Sequence, residues 1–157
     1  MILFLDFDGV LHPARPVAPD ELLFCRLPLL EAWLRERPGV DVVISSSWRE
    51  AHPLDELVSY FADDLKGRVL GATPIITSDD WAQYDGGPPP LRFRREIEIR
   101  RWQHQSAAPW RPWAALDDQP WLFAPFCESL VACDGDTGLT TRNLKDVDAV
   151  LERQQAR

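Results

Sequence analysis

The sequence predicts an α/β domain, a mainly parallel sheet with helices on both faces, on three observations. Short apolar runs alternate with stretches of helical spacing, the pattern of strands joined by helical crossovers. The first run, Ile2-Leu3-Phe4-Leu5, is apolar at every position, as in a strand buried on both faces. That run ends in Asp6-Phe7-Asp8-Gly9, a later one ends in serines, and a third ends in Asp117-Asp118. Polar groups at the ends of parallel strands share one edge of the sheet, where open α/β sheets bind ligands.

After the first strand, residues 11–19 form a Pro-rich loop, and a helical pattern follows near 20–36. Leu27, Leu30 and Leu34 supply its apolar face, and Pro38-Gly39 stops it. Val40-Asp41-Val42-Val43-Ile44 is a β-branched second strand that runs into Ser45-Ser46-Ser47-Trp48-Arg49. Leu54, Leu57, Val58, Phe61 and Leu65 predict one helix over 54–65, stopped by Lys66-Gly67. A short strand fits 68–71. Residues 73–91, broken by Asp79-Asp80, Gly86-Gly87 and Pro88-Pro89-Pro90, read as a long loop able to grip a substrate. A helix follows at 93–105, strands at 113–118 and 129–133, and a closing helix at 143–155 with Leu144, Val147, Val150 and Leu151 inward.

Alternation along a strand points Asp6 and Asp8 the same way. Carboxylates that close repel unless a cation or proton lies between them, and Mg²⁺ is the simplest occupant. Asp-Gly also opens β-hairpins. Here the residues that follow include Pro13, Pro16 and Pro19, which break any returning ladder. Asp134 and Asp136 form another acidic pair, but inside a Gly-rich turn, and read as structural.

The 157 residues suit one domain, 1–157, with a core of ordinary size. A net charge of −8 argues against an extended nucleic-acid-binding face, though not against a grip on one terminal phosphate. No leader precedes the first strand and no apolar run approaches the ~18 residues of a membrane span, so a cytoplasmic protein is expected. Cys25, Cys127 and Cys133 lack zinc spacing and read as reduced, mostly buried thiols. The seven tryptophans read mostly as core, with Trp48 and Trp81 placed to line an opening.

In this order, the DxD of LFLDFDGVLH, the serines of VVISSSWR, the Arg95–Trp102 stretch REIEIRRW and the acidic pair of ALDD resemble the haloacid dehalogenase-like (HAD) phosphohydrolases. Within them the chain looks like the small HAD domains associated with RNA-repair proteins. The resemblance implies a three-layer, Rossmann-like fold and an aspartyl-phosphate mechanism with Mg²⁺ as cofactor. Asp6 would be the nucleophile, and Asp8 would serve as acid, then base. Asp8 would also lend its main-chain carbonyl to the metal.

Ser46 would donate to a phosphoryl oxygen, with Ser45 its rival and Ser47 beside them. The alternative for this triple is a hydroxyl-capped turn. Arg95 would balance phosphoryl charge, although Arg92, Arg94, Arg100 and Arg101 crowd the same stretch and such runs are ordinarily solvated. Asp118, then Asp117, would complete the metal site; a plain acidic loop is the alternative. Gly9 and His12 lie near enough to contact substrate.

Neither the stretch before the second strand nor that before Arg95 leaves room for a cap domain, since small domains run to ~50 residues. An open site suits a phosphate on something large, such as a nucleic-acid terminus. Two other classes share these features. One is a catalytically silent phosphate-binding module. The other is a receiver-like signalling domain, which would need its acidic pair first, its phospho-acceptor later, and a lysine after the last strand.

Overall fold

A computed structural model describes residues 1–14, 20–77 and 93–156. Its centre is β1 (Ile2–Leu5), every residue of which is buried. Around it stand β2 (Asp41–Ile44), β3 (Val69–Ala72), β4 (Trp113–Asp117) and β5 (Leu130–Ala132). They form one five-stranded sheet, order β3-β2-β1-β4-β5, with every neighbouring pair parallel. The α/β reading of the sequence therefore holds.

Alternation along β1 divides the core in two. Leu3 and Leu5 face α1 (Leu27–Arg35), α2 (Leu54–Ser59), α3 (Asp63–Lys66) and the C-terminal α5 (Thr141–Gln155), through Leu30, Leu34, Leu57, Leu65, Val147 and Leu151. Ile2 and Phe4 face the other way, onto Ile99 and Trp102 of α4 (Arg94–Gln105), with Trp113, Ala115 and Phe123. Phe4 meets Trp102 and Trp113 edge-on at 5.7 and 5.6 Å. Three layers result, with the sheet in the middle.

Several elements differ from their sequence reading. The pattern over 20–36 becomes a 3₁₀ turn at Asp20–Leu22, and α1 starts only at Leu27. The break is Phe24, whose φ of 58° no right-handed helix accepts. The single helix over 54–65 is two, because Ala62 is extended and donates its N–H to Glu31 Oε1 at 2.7 Å. Apolar periodicity survives that break, since Leu57, Phe61 and Leu65 all stay buried. The closing helix starts at Thr141, where Thr140 and Asn143 form a reciprocal cap.

Of the three free thiols only Cys133 is buried, and of the tryptophans Trp110 and Trp121 stand well exposed. The thiols depart from expectation, whereas Trp33 and Trp113 are buried and Trp48 and Trp102 pack against the core, so most of the described tryptophans are core as read. Most of the loop over 73–91, Trp81 and Arg92 lie outside the described residues. No helix among the described residues is long and apolar enough to cross a membrane.

Candidate active site

Register explains why residues far apart in the chain meet. Leu5 pairs with Ile44 on one side and Leu116 on the other. The ladder runs one step further: Ser45 donates its N–H to Leu5 O, and Asp6 donates its own to Leu116 O. Asp6, Ser45 and Asp117 therefore stand level at the C-terminal edge of three adjacent strands. Asp6 continues the Ile2-Phe4 side and Asp117 the Trp113-Ala115 side, so both point to the layer that holds α4.

The first turn of α4 answers them with Arg95, itself buried. A single nitrogen, Arg95 Nη1, lies 3.1 Å from Asp6 Oδ2 and 2.8 Å from Asp117 Oδ2. The other oxygens are also engaged: Asp6 Oδ1 accepts the Phe7 N–H at 2.8 Å, and Asp117 Oδ1 accepts that of Gln119 at 2.9 Å. Asp118 completes the group. One carboxylate oxygen from each of Asp6, Asp117 and Asp118 lies within 4.8 Å of the others.

Three carboxylates against one guanidinium leave excess negative charge in a dry place. Burial, then Asp6, pushes the Asp117 carboxyl up to about 8 although Arg95 pulls the other way. The same two causes, in the same order, raise Asp118. Burial alone would lower the Arg95 pKa, but Asp6 and Asp117 outweigh it and raise it. Asp118 Oδ1 is buried without a hydrogen-bond partner. Three clustered carboxylates, one of them with an oxygen left unpaired, are the donor set a hard divalent cation accepts, so these residues fit Mg²⁺.

Asp8 belongs to a different part of the site. Its side chain is 43 % exposed, against 2 % for Asp6. Each of its oxygens meets a ring nitrogen: Oδ1 lies 2.9 Å from His12 Nε2, and Oδ2 accepts the Trp48 indole N–H at 3.0 Å. The His12 hydrogen bond is the main reason its pKa is lowered; burial opposes it and the Trp48 bond adds to it.

The serines divide by role. Ser46 caps the 3₁₀ turn Ser47–Glu50, its Oγ accepting the Trp48 N–H at 3.4 Å. Ser45 is buried beside Asp6, and Ser47 is exposed. Arg49 ties this turn to α4: it donates to Ser45 O, Ser46 O and Thr73 O, and pairs with buried Glu98 at 2.5 Å. The sequence alone assigns no role to Arg49 or Glu98. The available signal was the position of Glu98, one turn after Arg95, which puts both on one helix face.

A sequence model of HAD domains in Swiss Army Knife RNA repair proteins matches residues 2–144. The chain belongs to this family. Neither the curated proteins nor the solved structures hold a significant match to it.

Two residues of this HAD domain read as substrate contacts, His12 and Gly9, have partners within the protein. His12 is 2 % exposed, and its second ring nitrogen, Nδ1, lies 3.3 Å from the Phe24 N–H, so it faces the protein and Asp8 rather than the opening. Gly9, at φ 70°, makes room: a Cβ there would sit 2.4 Å from the Asp118 carboxyl carbon. Gly135 closes the other side, 2.7 Å from Asp118 Oδ2 by the same measure. The Asp134–Asp136 turn, held by Asp134 Oδ1 accepting the Asp136 N–H, is structural and carries that glycine. Gly9→Ala is therefore expected to cost about 2–4 kcal/mol, a left-handed Cβ plus the overlap, and to displace Asp118. Thermal unfolding with and without Mg²⁺ checks it; a variant that keeps both its midpoint and its Mg²⁺ response would contradict the cradle.

Proposed function

We propose that this HAD domain hydrolyses phosphate monoesters through a phosphorylated Asp6. The observation that carries the reading is the position of Asp6: nearly buried, paired with Arg95, one edge against Asp117 and Asp118, with the exposed Asp8 beside it. In the first half, an Asp6 carboxylate oxygen bonds to phosphorus as the ester oxygen leaves, and Asp8 gives that oxygen its proton. The two N–H donors on Asp8 favour its charged form, whereas an approaching phosphate dianion disfavours it, so proton uptake accompanies binding.

In the second half, water attacks phosphorus and passes its proton to Asp8. Inorganic phosphate departs and Asp6 is restored. Arg95 offsets charge on the transferring group, and a hydroxyl of Ser45 or Ser46 donates to a phosphoryl oxygen. Asp6, Asp117 and Asp118, with the Asp8 carbonyl, would hold Mg²⁺, which when bound supplies further positive charge at the phosphoryl oxygens.

For substrate we propose a phosphate on a large molecule, a nucleic-acid terminus first. Support comes from the family's association with RNA repair and from the shortness of the stretches between site elements, too brief for a folded cap. A net charge of −8 limits the grip to the end itself, with no extended nucleic-acid face and no membrane contact. Three free cysteines support a reducing, cytoplasmic setting.

The test is phosphate release, with Mg²⁺, from p-nitrophenyl phosphate and from 3′- and 5′-phosphorylated oligonucleotides beside mononucleotides and sugar phosphates. Turnover of the oligonucleotides is expected to exceed that of the small esters. Release from none of them would make this a silent binding module. Release from small esters alone would overturn the large-substrate reading.

A further inference from the structure

His12 and Trp48 hold Asp8 by both ends, a placement the phosphohydrolase reading does not itself require. Phe24 lends its backbone N–H, which can only donate, to His12 Nδ1 at 3.3 Å. Nδ1 must therefore be the unprotonated nitrogen, and the ring proton sits on Nε2, 2.9 Å from Asp8 Oδ1. The orientation of His12 is over-determined. Its ring packs edge-on against Phe24 at 5.3 Å and tilted against Trp48 at 5.8 Å, and Phe24 in turn stacks on Tyr60 at 4.4 Å.

Phe24 holds this place at φ 58°, a conformation a bulky residue adopts only when its surroundings impose it. Trp48 is fixed just as firmly. Its backbone N–H goes to Ser46 Oγ, its ring packs on Phe7, Phe24 and His52, and its indole N–H reaches Asp8 Oδ2 at 3.0 Å.

We infer that His12, as the neutral Nε2–H tautomer fixed by Phe24, and Trp48 are positioning residues that clamp the Asp8 carboxylate so that its remaining lone pairs face the leaving oxygen. The inference rests on the phosphohydrolase reading. A carboxylate has about four lone-pair sites, and the clamp occupies two, one on each oxygen. The carboxylate plane can no longer turn, and 43 % of the side chain stays open to solvent. Neither His12 nor Trp48 needs to touch substrate. What they set is the aim of a proton, so their removal matters in proportion to how much the leaving group needs one.

The experiment compares an alkyl phosphate, whose alkoxide must be protonated to leave, with p-nitrophenyl phosphate, whose phenolate leaves unaided. In His12→Ala and in Trp48→Phe the ratio of alkyl to aryl kcat/KM, which reports phosphoryl transfer to Asp6 and not the shared hydrolysis step, is expected to fall by ~10²-fold, within the range of general acid catalysis. A purely structural role lowers both rates together and leaves the ratio alone; an unchanged ratio overturns the clamp. Trp48→Phe keeps the packing, so it reports even where His12→Ala does not fold. Long-range ¹H–¹⁵N spectra of the wild-type protein provide a readout free of turnover: His12 is expected as the Nε2–H tautomer, and the opposite tautomer would overturn the inference. A wild type that releases phosphate from neither ester nor from the phosphorylated oligonucleotides overturns the phosphohydrolase reading, whereas an active one with an unaltered ratio in the variants overturns the positioning alone.

Discussion

Asp6→Asn is expected to abolish phosphate release, by about 10⁴-fold or more, while leaving the fold intact. The amide is nearly the same size as the carboxylate, and its oxygen can still accept the Phe7 N–H. What disappears is the nucleophile and one of three clustered negative charges. Removing Asp6 withdraws a charge that helps push Asp117 and Asp118 upward, so the metal-free variant has less repulsion to contain. Against that stands the lost pairing of Asp6 with Arg95, which keeps Asp117 as its partner. The metal-free thermal midpoint should therefore hold or rise, whereas the increment that Mg²⁺ gives the wild type should shrink, because a donor with a full charge has gone. Three readings on one variant (turnover, metal-free midpoint and Mg²⁺ increment) separate the reacting group from a structural one. Activity within tenfold of wild type would remove Asp6 from the reaction.

That the relevant carboxylates meet was legible in the sequence because parallel strands turn chain order into position. Asp6 and Asp117 each follow an apolar run, and in a parallel sheet both runs end on the same edge. What the sequence did not disclose was side-chain partnership. His12 and Trp48 lie 4 and 40 residues from Asp8, and nothing in periodicity brings either to it. Their meeting depends on Phe24 taking a left-handed turn inside what reads as helix. Nor was the inner face of α4 fully legible: hydrophobic patterning searches for apolar stripes, and here Arg95 and Glu98 are buried alongside Ile99 because their partners wait on other elements. Asp118 and Gly9 illustrate the same limit. An Asp-Gly step signals a turn, but only the folded chain shows that the missing Cβ leaves space for a carboxylate more than 100 residues away.

Arg95 offers the sharpest contrast between two substitutions. Arg95→Met is expected to cost about 3–5 kcal/mol, since breaking a buried ion pair leaves a charge uncompensated. It should also lower turnover by ~10²–10³-fold through loss of charge at the transferring group. The pH dependence follows from Asp117. Its folded pKa of about 8 lies above an ordinary carboxylate's, so the folded state holds a proton that the unfolded chain releases, and metal-free stability falls as pH rises toward that value. Arg95 is the charge that holds Asp117 down, so without it the folded pKa climbs further. Wild type and variant then share the loss at lower pH, and the variant goes on losing above it: its deficit widens between about pH 7 and about pH 9 in metal-free thermal unfolding. A deficit that narrows with pH would mean Arg95 is not what balances the pair. Arg95→Lys is expected to behave otherwise. Arginine is ordinarily irreplaceable where both arms of its fork are used. Here one nitrogen, Nη1, makes both contacts, and an ammonium set at that point could make the same two. The lysine variant should keep most of the stability and of the turnover, which ties the role of Arg95 to a point charge between Asp6 and Asp117 and not to the shape of the guanidinium.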